Sequence, residues 1–432
     1  MLNYILIAIV IVSVGIFFYS MLFKKGNKNR FFLIYICILY PFIRINVIPS
    51  LIELTLFDFL VFSYYLFFYK SKLKEHIKNE IFNYSLFVLF LTILLGFILV
   101  NEFTKESFEA SIQLLSISLY VKLLFEELTD NKEFIYEFVD TYKIPVLFSF
   151  IFLGCQLVFG VGFSISKQLN SNILSEVVVR YPSFFQDPQK YSQFLAATSF
   201  LMLINNQKQK KDNIVWILMS LISVICILFA GGRAGLSGWM FGIMIILFWG
   251  IPKYRKTIVA TLVVLVAIAI AYSEKFSIFQ RENLNDSYEF RMSIWEAAYN
   301  IFKDNPILGI GIGNYSNYVN VHNPDQFWIA DNEIVIYDHP ESGYLKLLTE
   351  FGIIGFIAIL LFVVFPVIKG FFKYIKTKEM MLLFFVCSII SWMVGFYSVY
   401  SLGDVRITVL IASILCMLVS RINNKSTPVE IK

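Results

Sequence analysis

Along most of this 432-residue chain, apolar runs of membrane-spanning length follow one another, parted by short connectors that hold most of the lysines. A helix needs about 20 apolar residues to cross the hydrocarbon core of a bilayer, and only helices or closed barrels satisfy every backbone N–H and C=O there. With 58% hydrophobic and 16% charged residues, the chain carries more apolar surface than one soluble core can bury. The fold class expected is an all-α polytopic integral membrane protein. The first run, Leu2 to Phe23, is too long for a signal-peptide core and lacks a basic leader and a small-residue cleavage site, so it reads as a retained helix.

The basic connectors set the topology. They fall at Lys24, Lys25, Lys28 and Arg30, at Lys70 to Lys78, Gln207 to Lys211, Lys253 to Lys256, Lys369 to Lys378 and Arg421 to Lys432, all assigned to the cytoplasm by the positive-inside rule. Enough apolar sequence lies between successive connectors for an even number of crossings. About 13 helices satisfy every assignment, with the N-terminus outside and the C-terminus inside. The expected spans are 2–23, 31–49, 51–69, 80–100, 108–125, 139–160, 190–206, 214–231, 234–251, 257–273, 343–368, 380–399 and 405–420. The pair 31–49 and 51–69, separated only by Ser50, also fits a re-entrant pair. Residues 1–432 then form one transmembrane domain with two extracytoplasmic loops, 161–189 and the large 273–342.

The net charge of +5 is explained by these connectors and implies no nucleic acid. Cys37, Cys155, Cys226, Cys387 and Cys416 all sit in apolar runs and read as small hydrophobes.

The large loop concentrates the polar residues, and chemistry is expected there. Its segment Arg291-Met-Ser-Ile-Trp-Glu-Ala-Ala-Tyr-Asn-Ile-Phe spaces apolar residues as a helix lying along the membrane surface would. Asn305-Pro-Ile-Leu-Gly-Ile-Gly-Ile-Gly-Asn-Tyr follows as a glycine-rich turn, so the loop is expected to fold. The turn is no nucleotide loop: it lacks a Gly-Lys-Ser/Thr and a parallel-strand setting.

Arg233 lies between two apolar runs, in Ala230-Gly-Gly-Arg-Ala-Gly, where an unpaired charge costs a few kcal/mol. Its flanking glycines suggest a ligand close to the backbone. With Arg180 and Arg291 on the same side, three guanidiniums offer a fork for a phosphate or diphosphate, although each alone also reads as a loop salt bridge. Arg406 and Arg44 rank lower because Asp404 supplies Arg406 with a structural partner.

Glu341 stands where the loop re-enters the membrane. A partly desolvated carboxylate there would serve as a general base, the alternative being a helix N-terminal acid. His339 and His322 are further candidate bases. Asp331-Asn-Glu333 matches no standard calcium loop, and no catalytic metal or other cofactor is expected. Tyr315, Tyr318, Trp328 and Tyr337 are aromatic residues of the kind that anchor at the membrane interface.

Three motifs in this order carry a family resemblance: Gly232-Arg233-Ala234-Gly235 after an apolar crossing; Arg291 with Ile294-Trp295 and then Asn305-Pro306-Ile-Leu-Gly309-Ile-Gly311; and Ser342-Gly-Tyr344-Leu345-x-x-Leu348-x-Glu350-x-Gly352-Ile-Ile-Gly355. Together they resemble the O-antigen ligase and polymerase superfamily, over roughly residues 180–355. The resemblance implies a membrane-embedded glycosyltransferase of GT-C-like architecture, inverting and metal-independent, that uses undecaprenyl diphosphate-linked glycans. It implies diphosphate handling by Arg180, Arg233 and Arg291, catalysis by Glu341 or His339, and glycan contacts at Tyr315 and Tyr344.

In the ligase branch the last motif usually opens with His-Asn or His-Ser, three residues before the tyrosine. Here that slot holds Glu341-Ser342, with His339 displaced by two, a departure that favours a polymerase over a ligase. The implied setting is the bacterial cytoplasmic (inner) membrane with the site facing the periplasm. Implied partners are a lipid-linked glycan donor and acceptor, membrane lipids, and a regulator protein that sets chain length. The alternatives are an O-antigen ligase acting on lipid A core and, in another class, a lipid-linked oligosaccharide flippase. A flippase would show internal repeats and charges at the bundle centre, which this sequence lacks.

Overall fold

The computed structural model describes residues 2–23, 26–48, 53–69, 80–99, 104–165, 179–205, 213–251, 256, 259–260, 263, 284–322, 327–330, 333–336 and 339–423. The first part of the chain runs α1 (Leu2–Phe23), α2 (Lys28–Ile38), β1 (Asn46–Ile48), β2 (Leu54–Thr55), α3 (Leu56–Phe67), α4 (Glu80–Leu99), α5 (Lys105–Asp130) and α6 (Phe134–Phe159). The second runs α7 (Pro188–Leu201), α8 (Asn213–Ala230), α9 (Arg233–Ile245, prolonged by a π turn at Ile246–Gly250), α10 (Leu284–Asp304), α11 (Tyr315–His322), β3 (Phe327–Ala330), β4 (Glu333–Ile336), α12 (Gly343–Thr377), α13 (Met380–Phe396) and α14 (Val405–Asn423). The span expected at 257–273 lies almost wholly outside the described residues, as do most of the basic connectors.

The protein is a helical, multi-pass membrane protein. Among the described residues five segments are long and apolar enough to cross a bilayer: α5, α6, α9 with its π turn, α12 and α14. Large apolar side chains such as Ile11, Val12 and Ile16 on α1, Ile214, Ile217 and Leu221 on α8, and Ile357, Leu361 and Ile368 on α12 are exposed, as faces turned to lipid must be. By contrast α14 is buried on nearly every side and forms the centre of the bundle.

Two expectations need correction. The spans 31–49 and 51–69 are not two full crossings: α2 and α3 have 11 and 12 residues, and an antiparallel pair, β1 with β2, joins them. At about 1.5 Å rise per residue each is too short to span hydrocarbon, which agrees with the re-entrant alternative. Thr55 and Asp58 form a reciprocal capping box that starts α3 only after the hairpin. The second correction is to α10. Its apolar stripe Ile294, Ala298, Ile301 is covered by Ile310, Tyr315 and Val319, so the loop supplies its own small core and does not offer that stripe to the membrane surface.

A single glycine sets the shape of α12. Gly352 takes φ 61°, ψ −170°, breaking the helix within its first three turns. The groups released by the break are paired with the glycine-rich turn: Ile353 N and Ile354 N donate to Pro306 O and Ile307 O (2.9 and 3.4 Å), and Ile310 N and Gly311 N donate to Thr349 O and Glu350 O (both 3.0 Å). Gly309, at φ 72°, allows this approach, because a Cβ there would lie 2.5 Å from Gly352 N and Thr349 O. The turn's amides are thus used to complete a broken helix. Beyond it, Gly313 packs on the first turn of α5, where the Thr104 hydroxyl donates to Asn314 Oδ1 (2.5 Å).

Candidate active site

The N-termini of α7, α9, α12 and α14 and the C-terminus of α13 meet at one end of the bundle. Arg180 precedes α7 in a buried loop whose residues Pro182 to Phe185 are packed into the core. Gln156 fastens that loop by accepting from Ser183 N (2.8 Å) and donating to Ser183 O (2.9 Å). Arg180, 3% exposed, donates through Nε to Ala230 O (3.2 Å), and Tyr181 N donates to Phe229 O (3.4 Å). Three residues past Ala230, Arg233 opens α9 and is exposed. Two of the three sequence-predicted guanidiniums are therefore held on one turn.

The glycines around Arg233 do not leave room for a ligand. A Cβ on Gly232 or Gly235 would collide with Ser192 of α7, one on Gly238 with the Ser391 carbonyl of α13, and one on Gly242 with the Phe200 ring. They form a stripe that lets three helices pack backbone to backbone. The ligand-approach reading is corrected to close helix packing that fixes the start of α9.

Arg291 and Glu341 meet at the other side of this end. Arg291 Nε, on α10, donates to Glu341 Oε2 at 2.9 Å, with both side chains 27% exposed. Glu341 adopts φ 46°, an uncommon backbone for a non-glycine residue, just before Ser342 caps α12. His339 lies two residues earlier, partly buried. His322 lies apart, exposed at the end of α11 and stacked on Tyr318 at 4.1 Å.

The two tyrosines expected to contact glycan differ in burial. Tyr315 is fully buried in the loop core, because α11 must close over α10. Tyr344 donates its hydroxyl to Met393 O (2.9 Å) and sits edge-on to Phe396 at 5.2 Å, joining α12 to α13. The side chains of Trp328 and Tyr337, and Asp331, fall outside the described residues.

Three consecutive residues at the end of α13, unmarked by any local motif, tie the two sides together. A Cβ on Gly395 would be 3.1 Å from both Ala234 O and Gln193 Nε2; the Phe396 ring packs on Gly343 and Tyr344; and Tyr397 meets Trp295, one turn beyond Arg291, at 5.6 Å. Lys346 and Glu350 on α12 form a further pair at 3.4 Å, the lysine also lying over the Tyr400 ring at 4.7 Å.

Asp404 behaves as the sequence indicated. Arg406 grips it through Nε (2.9 Å) and Nη2 (2.6 Å), and Arg44 adds Nη1 at 2.9 Å. Burial alone would raise the Asp404 pKa, but the charges of Arg406 and Arg44, the Arg406 hydrogen bonds and the Lys190 charge outweigh it and hold the carboxyl well below the usual range. Arg406 Nη1 also donates to Phe184 O (2.8 Å), so this cluster anchors the Arg180 loop.

The molecule is thus a multi-pass helical membrane protein with arginines and a carboxylate gathered at one end of its bundle. Residues 218–360 match the family model described as O-antigen ligase, a likeness that agrees with the resemblance to the O-antigen ligase and polymerase superfamily. That stretch contains Arg233, Arg291, His339 and Glu341, while Arg180 lies before it. A protein of Haemophilus influenzae described as an uncharacterized protein is 24% identical over 191 residues, 40% of this chain and 47% of the relative. The match spans about half the length of that curated relative.

Proposed function

We propose that this protein is a polysaccharide polymerase that joins undecaprenyl diphosphate-linked oligosaccharide repeat units by inverting, metal-independent glycosyl transfer. The observation that carries the reading is the Arg291–Glu341 pair, set beside the turn that holds Arg180 and Arg233 through Gly395 to Tyr397. An acceptor hydroxyl attacks the anomeric carbon and gives its proton to Glu341, with His339 as the alternative base. The bond from that carbon to the diphosphate oxygen breaks, and the electron pair leaves with the lipid diphosphate. One displacement inverts the anomeric centre.

A diphosphate gains charge as it leaves, and guanidiniums stabilise that charge better in a water-poor site. Arg291 is engaged by Glu341. A diphosphate competing for Arg291 would release the carboxylate for proton transfer, so donor binding and base activation would be coupled. The rest of the reading is a GT-C-like bundle of about 13 spans in the cytoplasmic (inner) membrane, site toward the periplasm. Its partners are lipid-linked donor and acceptor, membrane lipids and a chain-length regulator.

The test is turnover of purified protein with lipid-linked repeat units. Glu341→Gln is expected to lower the rate by about 10²–10⁴-fold, and Arg233→Ala by about 10²–10³-fold. Retained polymerisation in Glu341→Gln at normal expression removes Glu341 as base. Undiminished activity in Arg233→Ala removes the diphosphate role, and loss of activity in chelator removes metal independence. The family description favours a ligase as the second reading. A ladder of lipid-linked oligomers formed without lipid A core distinguishes the polymerase.

A further inference from the structure

The geometry points to Tyr397 and Trp295 as the platform on which a sugar ring of the glycan substrate stacks, an inference that rests on the glycosyl-transfer reading. Tyr397, the residue that ends α13, is 58% exposed although its neighbour Phe396 is fully buried. Its ring meets Trp295 at 5.6 Å and 69°, an edge-to-face contact that props the tyrosine while leaving ring surface open. Trp295 follows Arg291 by four residues on α10, the spacing that stacks side chains on one helix face. The aromatic pair therefore stands one helical turn from the guanidinium that holds Glu341.

Two observations set this pair apart from aromatics that merely anchor a protein at the lipid surface. First, Trp295 Nε1 is buried and has no hydrogen-bond partner among the described residues. A buried N–H without an acceptor is unfavourable, and a sugar hydroxyl or ring oxygen entering beside Tyr397 would supply one. Secondly, Tyr397 belongs to the tripeptide joining the Arg180–Arg233 turn to the Arg291–Glu341 pair, so a ring stacked there lies between the leaving-group and proton-transfer residues. A pyranose presents C–H groups of slight positive charge, which meet the negative face of an aromatic ring. Tyr315 is denied this role by burial.

The experiment titrates purified protein in nanodiscs with the repeat oligosaccharide released by mild acid from the host's own lipid-linked intermediate, following tryptophan fluorescence. Wild type is expected to give a saturable change that Trp295→Phe abolishes. Tyr397→Phe should bind as wild type, whereas Tyr397→Ala and Tyr397→Leu should weaken binding at least tenfold. In the transfer assay the same two variants should raise KM for the repeat unit by a similar factor with kcat little changed. A missing saturable response in wild type, or Tyr397→Leu binding as well as Tyr397→Phe, overturns the platform; leucine keeps the apolar anchor and removes only the π face. If wild type binds the oligosaccharide through Trp295 but transfers nothing, the platform stands and the glycosyl-transfer reading fails.

Discussion

Replacing Gly352 by alanine should release the glycine-rich turn from α12. The backbone at φ 61°, ψ −170° is one that only glycine adopts readily, so any side chain there costs on the order of 1–3 kcal/mol. The added methyl would also collide with the Ile307 carbonyl and lie 2.6 Å from Gly309 N. Neither neighbour can yield without opening the bonds of Ile353, Ile310 and Gly311 to Pro306, Thr349 and Glu350, each with a net value of about 0.5–1.5 kcal/mol. Alanine further favours a continuous helix by about 1 kcal/mol. Docking of the turn should weaken by about 3–8 kcal/mol, which is at least a hundredfold in local opening at about 1.4 kcal/mol per factor of ten. Hydrogen–deuterium exchange of purified protein would read this in peptides covering 305–314 and 349–354, with glycosyl transfer falling in parallel. Unchanged exchange in both peptides, in a variant shown to carry alanine, would refute the account of the break.

Two further outcomes follow from packing and charge. Gly238→Ala should destabilise by about 1–3 kcal/mol, because its methyl meets the Ser391 carbonyl; Gly154→Ala, which meets nothing within 4 Å, should leave the melting temperature unchanged or raised. Asp404→Asn should cost about 3–5 kcal/mol, since Arg406 is left buried without its counter-charge. Because the folded pKa of Asp404 lies below its unfolded value, its contribution is full above the ordinary carboxylate range near pH 4 and is lost as pH falls below it. Melting curves from pH 6 to pH 3 should decline in wild type and show less of that decline in Asp404→Asn; identical slopes would refute the assignment.

The helices of the bundle were legible because lipid imposes one rule on length and polarity, and α1, α4, α5, α6, α12, α13 and α14 all overlap their expected spans. The hairpin between α2 and α3 was not, since two short apolar helices and one long interrupted run have the same composition. Arg233 was visible as a charge between apolar runs, and Arg180, Arg291 and Glu341 as charges on the same side, in the loops between crossings. What they touch was not: the Arg291–Glu341 pair spans 50 residues, and Gly395 to Tyr397 carry no charge to mark them. The glycines of the Arg233 motif misled for a physical reason, because a missing Cβ admits a neighbouring helix as readily as a ligand.

The Asp404 cluster has a consequence for how the protein is made. Its carboxylate, supplied just before the last helix, is the partner for Arg44 near the start of the chain, and Arg406 holds the carbonyl of Phe184 near the middle. During synthesis Arg44 and the Arg180 loop must wait for most of the chain to emerge before they meet these partners. A chain stopped before α14 would lack none of the proposed catalytic groups, yet it should still be inactive, with the cationic end left unassembled in the bilayer.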